Sequence, residues 1–148
     1  MYDKLKKYLL GYLPENYWYD EGVDIARDII SNFTENGWKL LLEQLSEQNI
    51  EWKKKLAYCL YDDSNKYELF TLLELLNTDN EELLEISLDS LRDFVNKKNA
   101  NFFTNNSQII NQIKRLYYNS NKPTQIILID LINKINKFTE NKLTISDL

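Results

Sequence analysis

Glu82, Glu85, Asp89 and Asp93 are spaced by three and four residues, the interval that brings side chains onto one face of an α-helix. Carboxylates in file could share a metal, divide acid and base roles, or offer negative charge to a cationic partner. Neighbouring residue types decide among these. The chain has no His, so the commonest general base and metal ligand is missing, together with any Ser-His-Asp or Cys-His arrangement. A helical di-iron site needs Glu-x-x-His and fails for the same reason. The glycines stand isolated at Gly11, Gly22 and Gly37, so no loop can cradle a phosphate. Asn77-Thr78-Asp79-Asn80-Glu81 has the polarity of a calcium loop, but the sixth position is Glu82 rather than Gly and the twelfth is Leu88. A hydrolase using Glu82, Glu85 or Asp89 alone would need buried carboxylates, and their pattern places them outward. The expectation is no catalytic residue, no metal and no cofactor. What remains is binding. Like charges at these intervals destabilise a helix by roughly 0.2–0.5 kcal/mol per pair, and Arg92 is the nearest relief, so the stripe suits a basic partner.

The charge is segregated along the chain. Residues 1–61 carry 8 basic and 10 acidic side chains, residues 62–93 carry 2 and 10, and residues 94–148 carry 8 and 3. A net charge of -5 argues against nucleic acid as a ligand, because phosphate neutralisation needs clustered Lys and Arg. A solvated helix face could also be acidic, but this segment is short of lysine partners. Such a face steers basic proteins towards it. Tyr58 and Tyr61, followed by Asp62 and Asp63, add aromatic side chains of the kind that anchor interfaces. The expected partner-binding set is therefore Glu82, Glu85, Asp89, Asp93, Tyr58, Tyr61, Asp62 and Asp63. Trp38 and Trp52 read as core, and Tyr17-Trp18-Tyr19 as a staple between the first helices.

These residues need long elements to hold them. The chain is 148 residues with 3 Gly and 2 Pro, which favours helices over turn-rich sheets. Apolar periodicity predicts helices over about Asp3–Leu13, Asp20–Phe33, Gly37 to Leu45, Gln48–Asp62, two within Ser64–Lys97, Ser107–Tyr118, and Pro123–Phe138. Thr78 with Glu81 fits a capping box at the start of the sixth. The Asn-rich stretch Asn99–Asn106 reads as a polar loop, its composition resembling the bias of an AT-rich genome. The tail, 139–148, reads as frayed. Cys59 reads as a small buried apolar residue, since one Cys excludes an internal disulfide. The start MYDKLKKYLLGYLPEN has too short an apolar run for a signal peptide, and no stretch reaches membrane-spanning length. A cytoplasmic monomer that binds neither membrane nor nucleic acid is expected.

Leu41–Asn49 (LLEQLSEQN) is similar to Leu72–Asn80 (LLELLNTDN) at an offset of 31 residues. At an offset of 41, Leu72 falls on Ile113, Leu75 on Leu116, Leu88 on Ile129 and Asp89 on Asp130. The reading is one all-α domain: N-terminal helices over 1–37, three helix pairs over 38–138, and a tail, about eight helices stacked side by side. Asp79 to Leu91 (DNEELLEISLDSL) resembles the second helix of a HEAT or armadillo repeat, with Ser87 as the small residue that lets helices approach. The usual Pro and Arg of the HEAT pattern are missing, so the resemblance implies a HEAT-like bundle rather than a regular array.

An acidic chain of this kind, with Leu72 to Phe94 at its centre, resembles the immunity proteins of bacterial polymorphic toxin systems, contact-dependent growth inhibition among them. The resemblance implies a cytosolic inhibitor that occludes its cognate toxin domain, often a basic nuclease. The rival expectation is a generic HEAT-like adaptor with no toxin partner.

Overall fold

The computed structural model describes residues 1–140 and 142–144. Among these, every regular element is helical, and no helix is long and apolar enough to cross a membrane. The fold is all-α, as the periodicity predicts. Contacts divide the chain into two compact units, Met1–Leu60 and Tyr61–Leu148.

In the first unit, α1 (Tyr2–Leu10) turns Tyr2, Leu5 and Leu9 inward. It packs against α3 (Val23–Ser31), α4 (Glu35–Gln44) and α5 (Ile50–Cys59). Trp52 and Trp38 are core residues, 1% and 2% exposed, and the Trp52 indole N–H donates to Lys6 O at 3.2 Å. Cys59 is buried. Where a helix from Asp20 is predicted, helical backbone already starts at α2 (Glu15–Tyr17), directly after Pro14, and passes through a π turn, Trp18–Gly22, into α3. Pro14 fixes that start because it needs no N–H there. α1 ends at Leu10, short of the predicted Leu13. Lys55 reaches over from α5, its ammonium donating to Leu9 O at 3.2 Å and Gly11 O at 3.3 Å.

In the second unit, α7 (Glu81–Leu91) packs against α6 (Lys66–Leu75), α9 (Ser107–Asn119) and α10 (Lys122–Lys137). Leu83, Leu84, Leu88 and Leu91 are all fully buried on it. A 3₁₀ turn, Arg92–Phe94, closes α7. Part of the expected polar loop is helical: α8 (Ala100–Asn105) packs against α9 and α10. Its Asn residues are weak helix formers, but Phe103 is 0% exposed, and its burial outweighs propensity. α10 meets α7, α8 and α9, in keeping with its broad apolar surface. In the tail, Leu143 N–H donates to the Asn136 side chain at 2.7 Å and Asn136 returns a bond to Leu143 O at 2.6 Å. Residue 141 and residues 145–148, also assigned to the tail, lie outside the described residues.

The helix ends explain two features of the composition. Asn49, Asn65, Asn80, Asn106 and Asn121 are all N-caps whose side-chain oxygens accept from the first-turn amides of Trp52, Tyr67, Leu83, Ile109 and Thr124. Each such cap contributes about 1 kcal/mol over Ala. The cap of α7 is thus Asn80, not Thr78. The Thr78 hydroxyl accepts instead from Asn80 N–H at 3.1 Å and shapes the turn before the helix. At the other ends, no described residue has a positive φ, so no helix stops in the left-handed turn that glycine usually supplies. Cations from neighbouring helices meet carbonyls at these ends or in the turn just beyond them instead, which also suits the negative end of the helix dipole. Arg27 donates to Cys59 O at 2.9 Å, Arg115 to Thr78 O at 2.7 Å, and Lys134 to Arg92 O.

Candidate protein-binding surface

The four carboxylates of α7 and the turn after it divide into two kinds. Glu82 and Asp93 are exposed at the two ends. Glu85 and Asp89, expected on the same outward stripe, are half-buried and turn towards α10. Glu85 Oε1 accepts from the Thr124 hydroxyl at 3.1 Å. Arg92 closes on Asp89 and lies 3.6 Å from Asp130 of α10, so one guanidinium sits between carboxylates from two helices. The Asp89 oxygen makes that ion pair without a well-directed hydrogen bond. All three groups are 35–55% exposed, so the cluster is screened and each pair contributes at most about 1 kcal/mol. The reason for the departure is geometric. A helix packed on α6, α9 and α10 keeps a narrow solvent face, and the middle of a wide polar stripe falls at the edge of a contact.

The flanking residues are organised by a residue that the apolar pattern does not single out. Glu68 is only 1% exposed at the start of α6, and its Oε1 accepts from Tyr61 N–H at 3.1 Å and Asp62 N–H at 3.4 Å. A carboxylate buried this deeply needs such donors. Asp62 is half-buried, and its Oδ1 accepts from Ser64 N–H at 3.0 Å and from the Ser64 hydroxyl at 2.6 Å. This leaves Asp63 exposed and Tyr61 48% exposed on a fixed loop. A sequence signal for Glu68 existed: it stands one helical turn before Leu72 and two before Leu75, on the buried side of α6.

Tyr58 belongs to the first unit. It is 45% exposed, 5.2 Å from the Tyr19 ring in an edge-to-face contact and 6.5 Å from Trp18. Of the expected staple, Trp18 is buried at 6% while Tyr19 stays 54% exposed. Tyr8 lies in the same region, its hydroxyl donating to Gly22 O at 3.4 Å. Burial, then the Tyr17 hydroxyl and nearby negative charge including Glu21, push the Tyr8 phenol up to about 12.

Two arginines beside α6 and α7, Arg92 and Arg115, have internal duties. The chain has three Arg, and each is engaged: Arg27 on Cys59 O, Arg92 between Asp89 and Asp130, and Arg115 on Thr78 O. Glu74, Asp79, Glu81, Glu82, Asp63 and Asp93 are all exposed on this segment. A shallow polar depression of about 420 Å³ lies beside it, lined by Asn77, Thr78, Asp79, Gln112 and Arg115. Arg115 Nη1 is 3.9 Å from Asp79, which is fully exposed. Among the described residues, no three acidic or cysteine side chains converge to hold a metal ion. Comparisons of the chain with protein-family models, with curated proteins and with solved structures find no match.

Proposed function

We propose that this chain is an immunity-type inhibitor that binds a cognate, basic nuclease toxin domain and occludes its active or substrate-binding surface. The observation that carries this reading is the acidic surplus of residues 62–93, ten acidic against two basic side chains, on a helix hairpin whose nearby arginines are tied to the protein's own carbonyls and carboxylates. A rigid negative surface of this kind attracts a basic protein and speeds encounter at low ionic strength. The toxin as partner rests on the resemblance of the Leu72 to Phe94 region to such proteins. A cytoplasmic site of action and a monomeric inhibitor belong to the same reading.

The division of the carboxylates refines which of them meet the partner. Glu82, Asp93 and Asp63 are exposed, with Tyr61 beside the last. Glu85 and Asp89 act from behind, as charges held at the contact with α10. The test is co-expression with the product of the adjacent reading frame, followed by association kinetics. Lysine at Asp63, Glu82 and Asp93 together should slow association at low salt about tenfold or more while leaving the thermal transition in place. No complex with that product, or an association rate insensitive both to the substitutions and to salt, would overturn the proposal. A stable complex with a partner that has no toxic activity would favour the adaptor instead.

A further inference from the structure

The first unit carries a second surface that the acidic hairpin does not account for. Its centre is the π turn Trp18–Gly22. A Cβ at Gly22 would meet the Trp18 ring at 2.8 Å, closer than real Cβ contacts come, so the indole packs here against glycine. With Trp18 held inward, Tyr19 is displayed outward, against Tyr58 of α5. A staple would be expected to bury its rings, yet Tyr19 and Tyr58 keep 54% and 45% of their surface in water. Two rings fixed edge to face, backed by a buried Trp, form a preorganised aromatic platform.

The segment that carries Tyr19 has charge of one sign. From Glu15 to Asp24 the chain has four acidic residues and no basic one. Asp20, Glu21 and Asp24 are exposed, and among the described residues they form no ion pair. Nearby cations are occupied: Arg27 of α3 donates to Cys59 O, Lys55 to Leu9 O and Gly11 O, and Lys54 pairs with Glu51. Asp20 and Glu21 follow Tyr19 directly within the π turn.

Aromatic faces beside uncompensated carboxylates are the chemistry that takes a cationic side chain. The ring quadrupole attracts the cation, and the carboxylates accept its N–H groups. Arginine fits better than lysine, because its plane stacks on a ring while its fork meets a carboxylate. We propose that Tyr19 and Tyr58, with Asp20 and Glu21, form a docking site for an arginine side chain of a partner protein. The site lies wholly within Met1–Leu60 and does not depend on the reading of α7.

The test uses the full chain, ¹⁵N-labelled, titrated with the peptide acetyl-Gly-Gly-Arg-Gly-Gly-amide and with its citrulline counterpart, which keeps the shape of arginine and lacks the charge. The expected result is a saturable shift of amides in Trp18–Gly22 and around Tyr58, with affinity for citrulline at least fivefold weaker. Tyr19→Ala with Tyr58→Ala should abolish the shift. Asp20→Asn with Glu21→Gln, which leaves the rings in place, should weaken it about fivefold. Equal binding of the citrulline peptide would overturn the site as an arginine dock and mark it as an apolar contact. Shifts confined to residues 81–93 would overturn it while leaving the acidic-hairpin reading intact. Shifts of the same amides with protein concentration alone would assign the surface to a second copy.

Discussion

The hairpin α6–α7 and the hairpin α9–α10 are built alike and charged oppositely. Both have Asn N-caps and rows of leucine and isoleucine at helical spacing, and each places an Asp, Asp89 or Asp130, at the same register 41 residues apart. Those two carboxylates converge on Arg92. The difference lies in what the polar side chains do. On α9, Gln108, Gln112 and Arg115 reach to the end of α6, donating to the carbonyls of Leu73, Leu76 and Thr78. Lys134 of α10 does the same for the turn that ends α7. The acidic hairpin returns little of this kind, and Glu74, Asp79, Glu81 and Glu82 stay exposed on it. A charge imbalance between two similar elements thus follows from how one closes the helix ends of the other, in a chain that has almost no glycine to do so.

The largest effect should come from breaking that closure. Arg115 makes a charged hydrogen bond to Thr78 O at 2.7 Å and accepts support from Gln112 Oε1, to which its Nε donates at 2.9 Å. Arg115→Ala leaves the Thr78 carbonyl without this donor and should cost about 2 kcal/mol of stability. Arg115→Lys should recover less than half, since a point ammonium cannot serve Thr78, Gln112 and Asp79 together. Denaturant titration of both variants measures this. If Arg115→Ala were neutral, the cations of α9 would be surface charges and the asymmetry between the hairpins would have no structural cause.

Much of this comparison was legible in the residues, and the exceptions have physical causes. The positions of α7, α9 and α10 follow from apolar spacing alone, because the buried residues of each recur at helical intervals. α8 was hidden because its helix rests on Phe103 and Ala100 packing, against the propensity of the Asn around them. The Asn caps were hidden for a related reason: compositional bias and capping select the same residue, and only a bond such as the one Leu83 N–H donates to Asn80 Oδ1 tells them apart. The split among the α7 carboxylates could not be read, since a helical wheel fixes direction around an axis and says nothing of where a neighbouring helix ends. Glu85 finds Thr124, 39 residues away, whereas the partner of Asp89, Arg92, stands three residues on along the same stretch of chain.

A smaller effect, with the opposite sign, comes from the interior of the seam. Ser87 and Leu128 occupy corresponding positions at the 41-residue offset, and both are 0% exposed. Leu128 fills its place with hydrocarbon, whereas the Ser87 hydroxyl is buried without a hydrogen-bond partner. A small side chain lets the neighbouring helix approach, but the hydroxyl itself carries a desolvation cost. Ser87→Ala keeps the size and removes the polar atom, so it should raise stability by about 1 kcal/mol, read as a later denaturant midpoint at unchanged slope. A loss of stability would mean that the hydroxyl is satisfied in solution and that α7 is held at this point by a polar contact its counterpart lacks.

The smallest effect tests the shared guanidinium. Asp130→Asn removes one of the two charges on Arg92 at 3.6 Å without changing shape. With Arg92 and Asp130 35% and 55% exposed, the change should be within about 0.5 kcal/mol and should vanish in high salt. Its consequence lies in charge rather than stability. Freed from Asp130, Arg92 neutralises Asp89 more completely, and the negative charge beside the acidic hairpin falls by one. Under the proposed function, association with a basic partner should therefore slow modestly, with dissociation unchanged. An equal change in both rates would place Asp130 inside the contact itself, and the boundary of the binding surface would have to extend from α7 onto α10.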